Sequence, residues 1–376
     1  MKLVADENIP LCEAFFGGFG EIVRLPGRQL TPADVRDADA LLVRSVTPVN
    51  AELLEASRVR FVGTCTIGTD HLQTSWLDKA GIRWANAPGC NANSVVEYVY
   101  AALTTLNKDW RQQTFGIIGC GNVGGLLYQR LRAQGVECRC YDPFLTPADN
   151  PHLISLDEVL AADVVCLHTP LTLNGPHPTH HLLNAERLRQ LRPGAVLLNA
   201  GRGAVIDNQA LLAHLEAGAD LQVVLDVWEP EPEISLPLLE RVALGTPHIA
   251  GYSLDGKLAG TAMIYEAFCR HLGQEPRLQL AQLAPSVADP QRQLEGEHWQ
   301  ALGALIASIY DIRADDKRLR DLSQAAIQGQ ADLGQGFDHL RKHYPVRREF
   351  HNYQLTAAAN GDFNQRLRAL NFTLQH

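Results

Sequence analysis

The chain has 376 residues, room for two or three domains at about 150 residues each. Hydrophobic residues make up 46% and charged residues 20%, an ordinary globular composition that excludes disordered, collagenous and disulfide-rich classes. A net charge of −9 argues against bulk nucleic-acid binding, and no apolar run approaches the roughly 18 residues of a membrane span.

Short apolar runs at residues 2–5, 40–43, 60–63 and 82–85 predict buried strands, with helix-compatible stretches at 51–57 and 72–80 between them. This alternation specifies a parallel sheet with helices on both faces, an α/β fold whose ligands bind beyond the carboxyl ends of the strands. Arg44-Ser45 and Thr64-Cys65-Thr66 occupy such ends; ordinary turn and capping duty is the competing reading. Asn91 to Ser94 offers N-cap chemistry for a helix through Val95, Val96, Tyr98, Val99 and Leu103.

A strand at 114–118 runs directly into Gly119-Cys120-Gly121-Asn122-Val123-Gly124, a helix follows to about Ala133, and the next strand, 136–141, ends in Asp142. A bare G-x-G-x-x-G is weak, but one set between strand and helix, with an acid 18 residues past its last glycine, is specific. Gly119 permits the tight turn, Gly121 lets a pyrophosphate approach the backbone, and Gly124 lets helix and strand pack closely. The helix N-terminus presents unpaired N–H groups to phosphate, and Asp142 suits a ribose hydroxyl while repelling a 2′-phosphate. The expected cofactor is NAD, not NADP.

Further strands at 163–167, 195–198 and 221–227 complete a nucleotide-binding domain. Past strand ends lie Arg202, Glu231 and His248. Arginine binds a carboxylate bidentately, histidine takes a proton near neutral pH, and a carboxylate on the second ring nitrogen fixes the tautomer. Together they suit oxidation of a hydroxy acid. A helix is expected over 253–273, then Pro276, Pro285 and Pro290 mark an irregular crossing, an amphipathic helix spans 298–310, and 347–355 alternates like a strand.

Residues 1–275 resemble the D-isomer-specific 2-hydroxyacid dehydrogenases through G-C-G-N-V-G at 119–124, N-A-G-R-G at 199–203, L-D-V-W-E-P-E-P at 225–232 and T-P-H-I-A-G at 246–251. The resemblance implies that Arg202, Glu231 and His248 are catalytic, with Glu229 a nearby decoy. It implies NAD contacts at Gly119, Gly121, Asn122, Val123, Gly124, Asp142, Thr169, Ala200, Arg202, Asp226 and Gly251, and substrate contacts at Ser45, Thr66 and Tyr252. It also implies a Rossmann-type NAD-binding domain, residues 94–256, inserted into a flavodoxin-like substrate domain of residues 1–93 and 257–285. Residues 286–376 are expected to form a small α+β dimerisation domain, giving a homodimer.

In V-R-S-V-T at 43–47, G-T-C-T-I-G-T-D at 63–70 and G-Y-S-L-D-G-K at 251–257, with the extension carrying Y-D-I-R-A-D-D at 310–316, the chain resembles one branch of that family, and the resemblance implies a small phosphorylated 2-hydroxy acid as substrate. Rival readings are another 2-hydroxy acid such as 3-phosphoglycerate, or an NAD-sensing, corepressor-like binding protein. Residues 286–376 are neutral overall, so residues 1–285 carry the whole −9, and a dianionic phosphate needs local cations. Arg44 is one candidate, with Arg347 and Arg348 the others. His177, His180 and His181 cluster with no acid close in sequence, and no metal is expected. Neither nucleic acid nor membrane is an expected partner. Eight cysteines without a C-x-x-C pair read as reduced thiols, and the acids within Met1 to Glu7 interrupt any secretory apolar run, so the expected location is the cytoplasm.

Overall fold

Apolar runs of four or five residues, too short for helices, satisfy their backbone groups by pairing side by side. In the computed structural model, which describes residues 1–296, 298–356 and 360–375, every strand pair among the described residues is parallel. The chain divides into two compact units, Met1–Asn91 with Ser253–Ser286, and Ala92–Tyr252 with Val287–His376.

The first unit holds strands β1 (Lys2–Asp6), β2 (Glu21–Leu25), β3 (Ala40–Val43), β4 (Phe61–Thr64) and β5 (Arg83–Ala85), in the order β2-β1-β3-β4-β5. That is the flavodoxin-like order. β3 and β4 are buried at every position, as a strand covered on both faces must be. One cover is the helix Leu254–His271: a Cβ on Gly63 would lie 2.3 Å from Ile264 Cγ2, and one on Gly260 would lie 2.6 Å from the Cys65 carbonyl. β2 escapes sequence reading because it is an edge strand, only half-buried, with Arg24 in its middle paired to Glu13 at 3.0 Å.

The second unit holds β6 (Phe115–Ile118), β7 (Cys138–Tyr141), β8 (Val164–Leu167), β9 (Ala195–Asn199), β10 (Leu221–Leu225) and β11 (Leu244–Gly245), ordered β11-β10-β9-β8-β6-β7. A single parallel bridge from Cys140 to Leu153 takes the edge where a Rossmann sheet has its third strand. Strand order reverses between β6 and β8, so the glycine-rich loop after β6 sits at the switch point. The helix Ala92–Thr105 is buried on nearly all sides, which its apolar periphery requires.

Residues 287–376 fall in this second unit. They contribute β12 (Gln291–Arg292), β13 (Gln354–Thr356) and β14 (Thr373–Gln375), a small parallel sheet, with helices Trp299–Ile309, Ile312–Ile327, Leu333–Lys342 and Gly361–Ala369. Their apolar side chains share one core with the nucleotide-binding part: Trp299, Leu302, Ile306 and Phe350 cluster with Val96, Tyr98, Leu103 and Phe115. The Trp110 and Trp299 rings meet edge to face, with centroids 4.5 Å apart. Polar contacts reinforce the join. Arg320 donates to the Leu239 and Val242 carbonyls at 2.8 and 3.0 Å, and the Gly245 N–H donates to Asp316 at 2.7 Å.

The expected strand over 347–355 is instead an isolated bridge residue, a short 3₁₀ turn at Phe350–Asn352 and β13. Nor do Arg347 and Arg348 lie on a surface, being 6% and 8% exposed. Arg347 donates to Ser94 Oγ and to the Ala250 carbonyl, with its Cζ 4.2 Å from the Tyr310 ring centroid. Arg348 donates to Asn352 at 2.7 Å. Apolar neighbours brought in from residues 94–103 bury a stretch that looks solvated in isolation. Burial opposes the Arg347 charge, but Tyr344, Tyr310, Glu97 and Asp315 around it outweigh that and hold it protonated. Arg347→Ala is therefore expected to destabilise the fold by about 3–5 kcal/mol, read as a lower urea midpoint, because it leaves buried acceptors unpaired. An unchanged midpoint would contradict this account.

Candidate active site

The glycine-rich loop is shaped by steric exclusion. Gly119 has φ 86°, and its N–H donates to the Tyr141 carbonyl at 2.8 Å. A Cβ on Gly124 would sit 1.9 Å from the Gly119 carbonyl oxygen, whereas one on Gly121 would meet nothing within 4 Å. Gly121 therefore has open space beside it, on the side where a ligand can approach the backbone. It also caps the helix Asn122–Ala133 without a side-chain hydrogen bond, leaving the first N–H groups of Asn122, Val123 and Gly124 for an anion. Asp142, past the end of β7, accepts from the Cys120 N–H at 2.9 Å and the Phe144 N–H at 3.0 Å, so it braces the loop it is expected to serve. At the end of β8, both ring nitrogens of His168 and the Thr169 hydroxyl are shielded from water and hydrogen-bond no group among the described residues. Burial lowers the His168 pKa to about 4, so the ring is neutral. Orphaned polar atoms at the switch point fit a bound dinucleotide.

Past β9, the Asn199 side chain donates to the Arg202 carbonyl at 2.9 Å and accepts from the Gly201 N–H at 3.1 Å, folding Asn199 to Arg202, with Ala200 half-buried, into a tight loop. Arg202 is half-buried and extended, with Nη1 on the Gly201 carbonyl at 2.9 Å. A Cβ on Gly203 would lie 1.9 Å from the Trp228 carbonyl oxygen, so this loop lies directly on the one bearing Glu231.

His248 Nδ1 and Glu231 Oε2 are 2.7 Å apart, while Glu231 Oε1 accepts from the Trp228 N–H at 2.8 Å. Burial raises the carboxyl's pKa, but His248, the Trp228 N–H and Arg341 outweigh it and hold Glu231 below the ordinary carboxylate value. Ionised, it can only accept, so Nδ1 carries the proton and Nε2 remains as the base. Glu229, two residues away, goes elsewhere. It lies 2.9 Å from His181 Nε2, and its N–H donates to Asn208 at 3.1 Å. The histidine cluster therefore does gain an acid, which the fold and not the local sequence supplies. His180, His181 and Glu229 form a group of metal-ligand type, but the His181–Glu229 hydrogen bond accounts for that contact without an ion.

Asp226 is 1% exposed, and its carboxylate accepts from Thr246 Oγ1 at 2.6 Å and from the Ile249 and Ala250 N–H groups at 2.8 and 2.9 Å. Its carbonyl also accepts from the His248 N–H at 2.7 Å. Its side chain thereby holds the turn that carries His248, whose φ is 55°. Gly251 and Tyr252 follow, both half-buried, and the Tyr252 ring lies between the Arg341 guanidinium (5.6 Å) and the edge of Tyr344 (6.0 Å).

In the other unit, Ser45 is exposed past β3, and Thr66 is half-buried past β4, its hydroxyl 2.8 Å from Thr64 Oγ1. β3 and β4 are adjacent, so both residues share the carboxyl edge of one sheet. Arg44 lies 3.9 Å from the buried carboxylate of Asp6.

Residues 92–250 match the family model "D-isomer specific 2-hydroxyacid dehydrogenase, NAD binding domain", and residues 283–370 match a domain of unknown function. The chain is 62% identical to an erythronate-4-phosphate dehydrogenase of Cellvibrio japonicus, covering 96% of each chain. It is 54% identical to one of Teredinibacter turnerae, covering 95% of each. Its fold is similar to the crystal structure of a D-lactate dehydrogenase from Aquifex aeolicus complexed with NAD and lactic acid, with TM-score 0.62 and 23% identity, covering 73% of this chain and 96% of that one. The chain belongs to the D-isomer specific 2-hydroxyacid dehydrogenases, in their erythronate-4-phosphate dehydrogenase branch. NAD is its cofactor. Among the described residues no helix is long and apolar enough to cross a membrane.

Sequence reading missed two participants. Asp226 as a clamp has no local signal, because its partners lie 20–24 residues later. Arg341 sits in an ordinary mixed-charge helix, and only the fold takes it to Tyr252. Gly124→Ala is expected to abolish NADH binding in a fluorescence titration, since the methyl group overlaps the Gly119 carbonyl. Asp142→Ala should raise the efficiency of NADP relative to NAD, and an unchanged ratio would remove Asp142 from the ribose site.

Proposed function

We propose that this chain oxidises 4-phospho-D-erythronate at C2 to 2-oxo-3-hydroxy-4-phosphobutanoate, a step of pyridoxine 5′-phosphate (vitamin B6) biosynthesis. The observation that carries the mechanism is the 2.7 Å contact between His248 Nδ1 and a Glu231 carboxylate held ionised. NAD, which Gly121, the first N–H groups of the helix Asn122–Ala133 and Asp142 would hold, would supply the acceptor for the C2 hydride. His248 Nε2 removes the hydroxyl proton, and the Glu231 charge stabilises the imidazolium that results. Arg202 supplies a bidentate fork to the substrate carboxylate and polarises the carbonyl as it forms. Ser45, Thr66 and Tyr252 offer hydroxyls to the substrate, and Arg44 adds positive charge at the same sheet edge as Ser45 and Thr66.

Initial rates with NAD on 4-phospho-D-erythronate and on 3-phosphoglycerate test the substrate: a preference for the second overturns the assignment. His248→Ala should lose roughly 10²–10⁴-fold in kcat. Arg202→Lys should be severely impaired, since a point charge cannot reproduce the fork. Glu231→Gln should be milder and should displace the pH–rate profile, and Glu229→Gln should leave that profile in place. The reverse pattern would make Glu229 the histidine's partner. Because the folded-state pKa of Glu231 is depressed, its contribution to stability is present above the ordinary value near 4.5 and is lost as pH falls through the folded value.

The protein is further proposed to be a cytoplasmic homodimer joined through residues 286–376. Eight free cysteines support a reducing compartment. Electrical neutrality of that segment, with Ile327 and Val346 exposed at 62% and 77%, supports self-association there. Light scattering on the full chain should return twice the chain mass, and a monomer refutes the assembly. Deleting the segment is not a clean test, because it would strip Trp299, Ile306 and Phe350 from a shared core.

A further inference from the structure

The helix Leu333–Lys342 is seated directly on the loop that follows Glu231. Phe337 is fully buried in a cluster with Trp228 and Ile234, and a Cβ on Gly334 would lie 2.2 Å from Glu233 Oε1. Four residues beyond Phe337, and so on the same face, stands Arg341. Its side chain is only 15% exposed, and its guanidinium lies over the Tyr252 ring. Its ion pair with Asp338 spans 3.8 Å, its guanidinium also hydrogen-bonds the Tyr252 side chain, and its buried Nε hydrogen-bonds no group among the described residues. Glu231 is near enough to feel its charge, but that carboxylate already bonds His248 and the Trp228 N–H.

A guanidinium stays charged at any working pH, and burying it with a nitrogen left unpaired is costly unless an anion completes the site. Of the other cations considered, Arg347 is 6% exposed and bonds Ser94 and the Ala250 carbonyl through Nη2, Arg348 donates to Asn352, and Arg44 lies 3.9 Å from Asp6. We propose that Arg341 is a ligand of the substrate's phosphate, its plane set by Tyr252, so that the C-terminal segment supplies part of the substrate site. The inference rests on the function proposed above, in which Arg202 takes the carboxylate and leaves the phosphate to be bound. A phosphate dianion offers three terminal oxygens to the donors that Arg341 has to spare, and it needs a dedicated cation on a chain of net charge −9.

The test compares kcat/KM for 4-phospho-D-erythronate and for unphosphorylated D-erythronate in the wild type, Arg341→Ala and Arg341→Lys, with NADH binding as the folding control. The ratio of the two efficiencies should fall about 10²-fold in Arg341→Ala, the scale of losing one buried charged partner. It should fall less in Arg341→Lys, which keeps the charge and loses the fork. Inorganic phosphate should compete with the phosphorylated acid in the wild type and more weakly in either variant. A parallel loss on both acids, or no change in ratio or in phosphate inhibition, overturns the assignment. Should Arg341→Ala fail to fold, Arg341→Lys and the phosphate competition decide. Failure of the wild type to oxidise 4-phospho-D-erythronate would instead overturn the function, which separates the two results.

Discussion

The carboxylate of Asp226, buried and bonded to three donors between Thr246 and Ala250, is the constraint on which the site depends. His248 stands at φ 55°, a left-handed conformation that non-glycine residues adopt only when their surroundings over-determine it. The Asp226 clamp does so from the end of β10, and the carbonyl of the same residue takes the His248 N–H. Burial holds the Asp226 pKa above the ordinary carboxylate value, with His248, Thr246 and the two N–H groups opposing the rise. The clamp continues into Thr246 Oγ1, which Tyr98 meets at 2.8 Å from the buried helix Ala92–Thr105.

That turn is also held from its far side. The Ala250 carbonyl accepts from Ser94 Oγ at 2.7 Å and from Arg347, a residue nearly a hundred positions later. The C-terminal segment therefore reaches the base of the His248 turn through Arg347, the loop after Glu231 through Gly334 and Phe337, and the Tyr252 ring through Arg341. The match to the family's NAD-binding domain covers residues 92–250 and stops short of this extension. Here the extension shares that domain's apolar cluster and buries cations within it.

Charge is handled by burial as much as by number. The chain as a whole is acidic, yet Arg341 and Arg347 are placed where solvent cannot screen them. Arg347 bonds Ser94 and the Ala250 carbonyl and lies over the Tyr310 ring. Arg341 lies over the Tyr252 ring, near the charge of Glu231.

Sequence alone determined the parallel α/β class and the dinucleotide loop, and it singled out Arg202, Glu231 and His248 as polar residues past strand ends. Each depends on local patterns, namely apolar runs of four or five, glycines at fixed spacing and polar residues at strand ends. Helix and strand limits were legible to within a few residues where the runs were fully buried, as in β3, β4 and β8. The edge strand β2 was not, since half its surface is solvated and its pattern is mixed. Only tertiary structure decided what Asp226, Glu229, Arg341 and Arg347 do. The partners that decide this lie from 20 to more than 250 residues away, and a polar side chain's role is set by which distant group shares its buried space. In one dimension Glu229 and Glu231 are near-equivalents, two residues apart before prolines; in three, one meets His181 and the other His248.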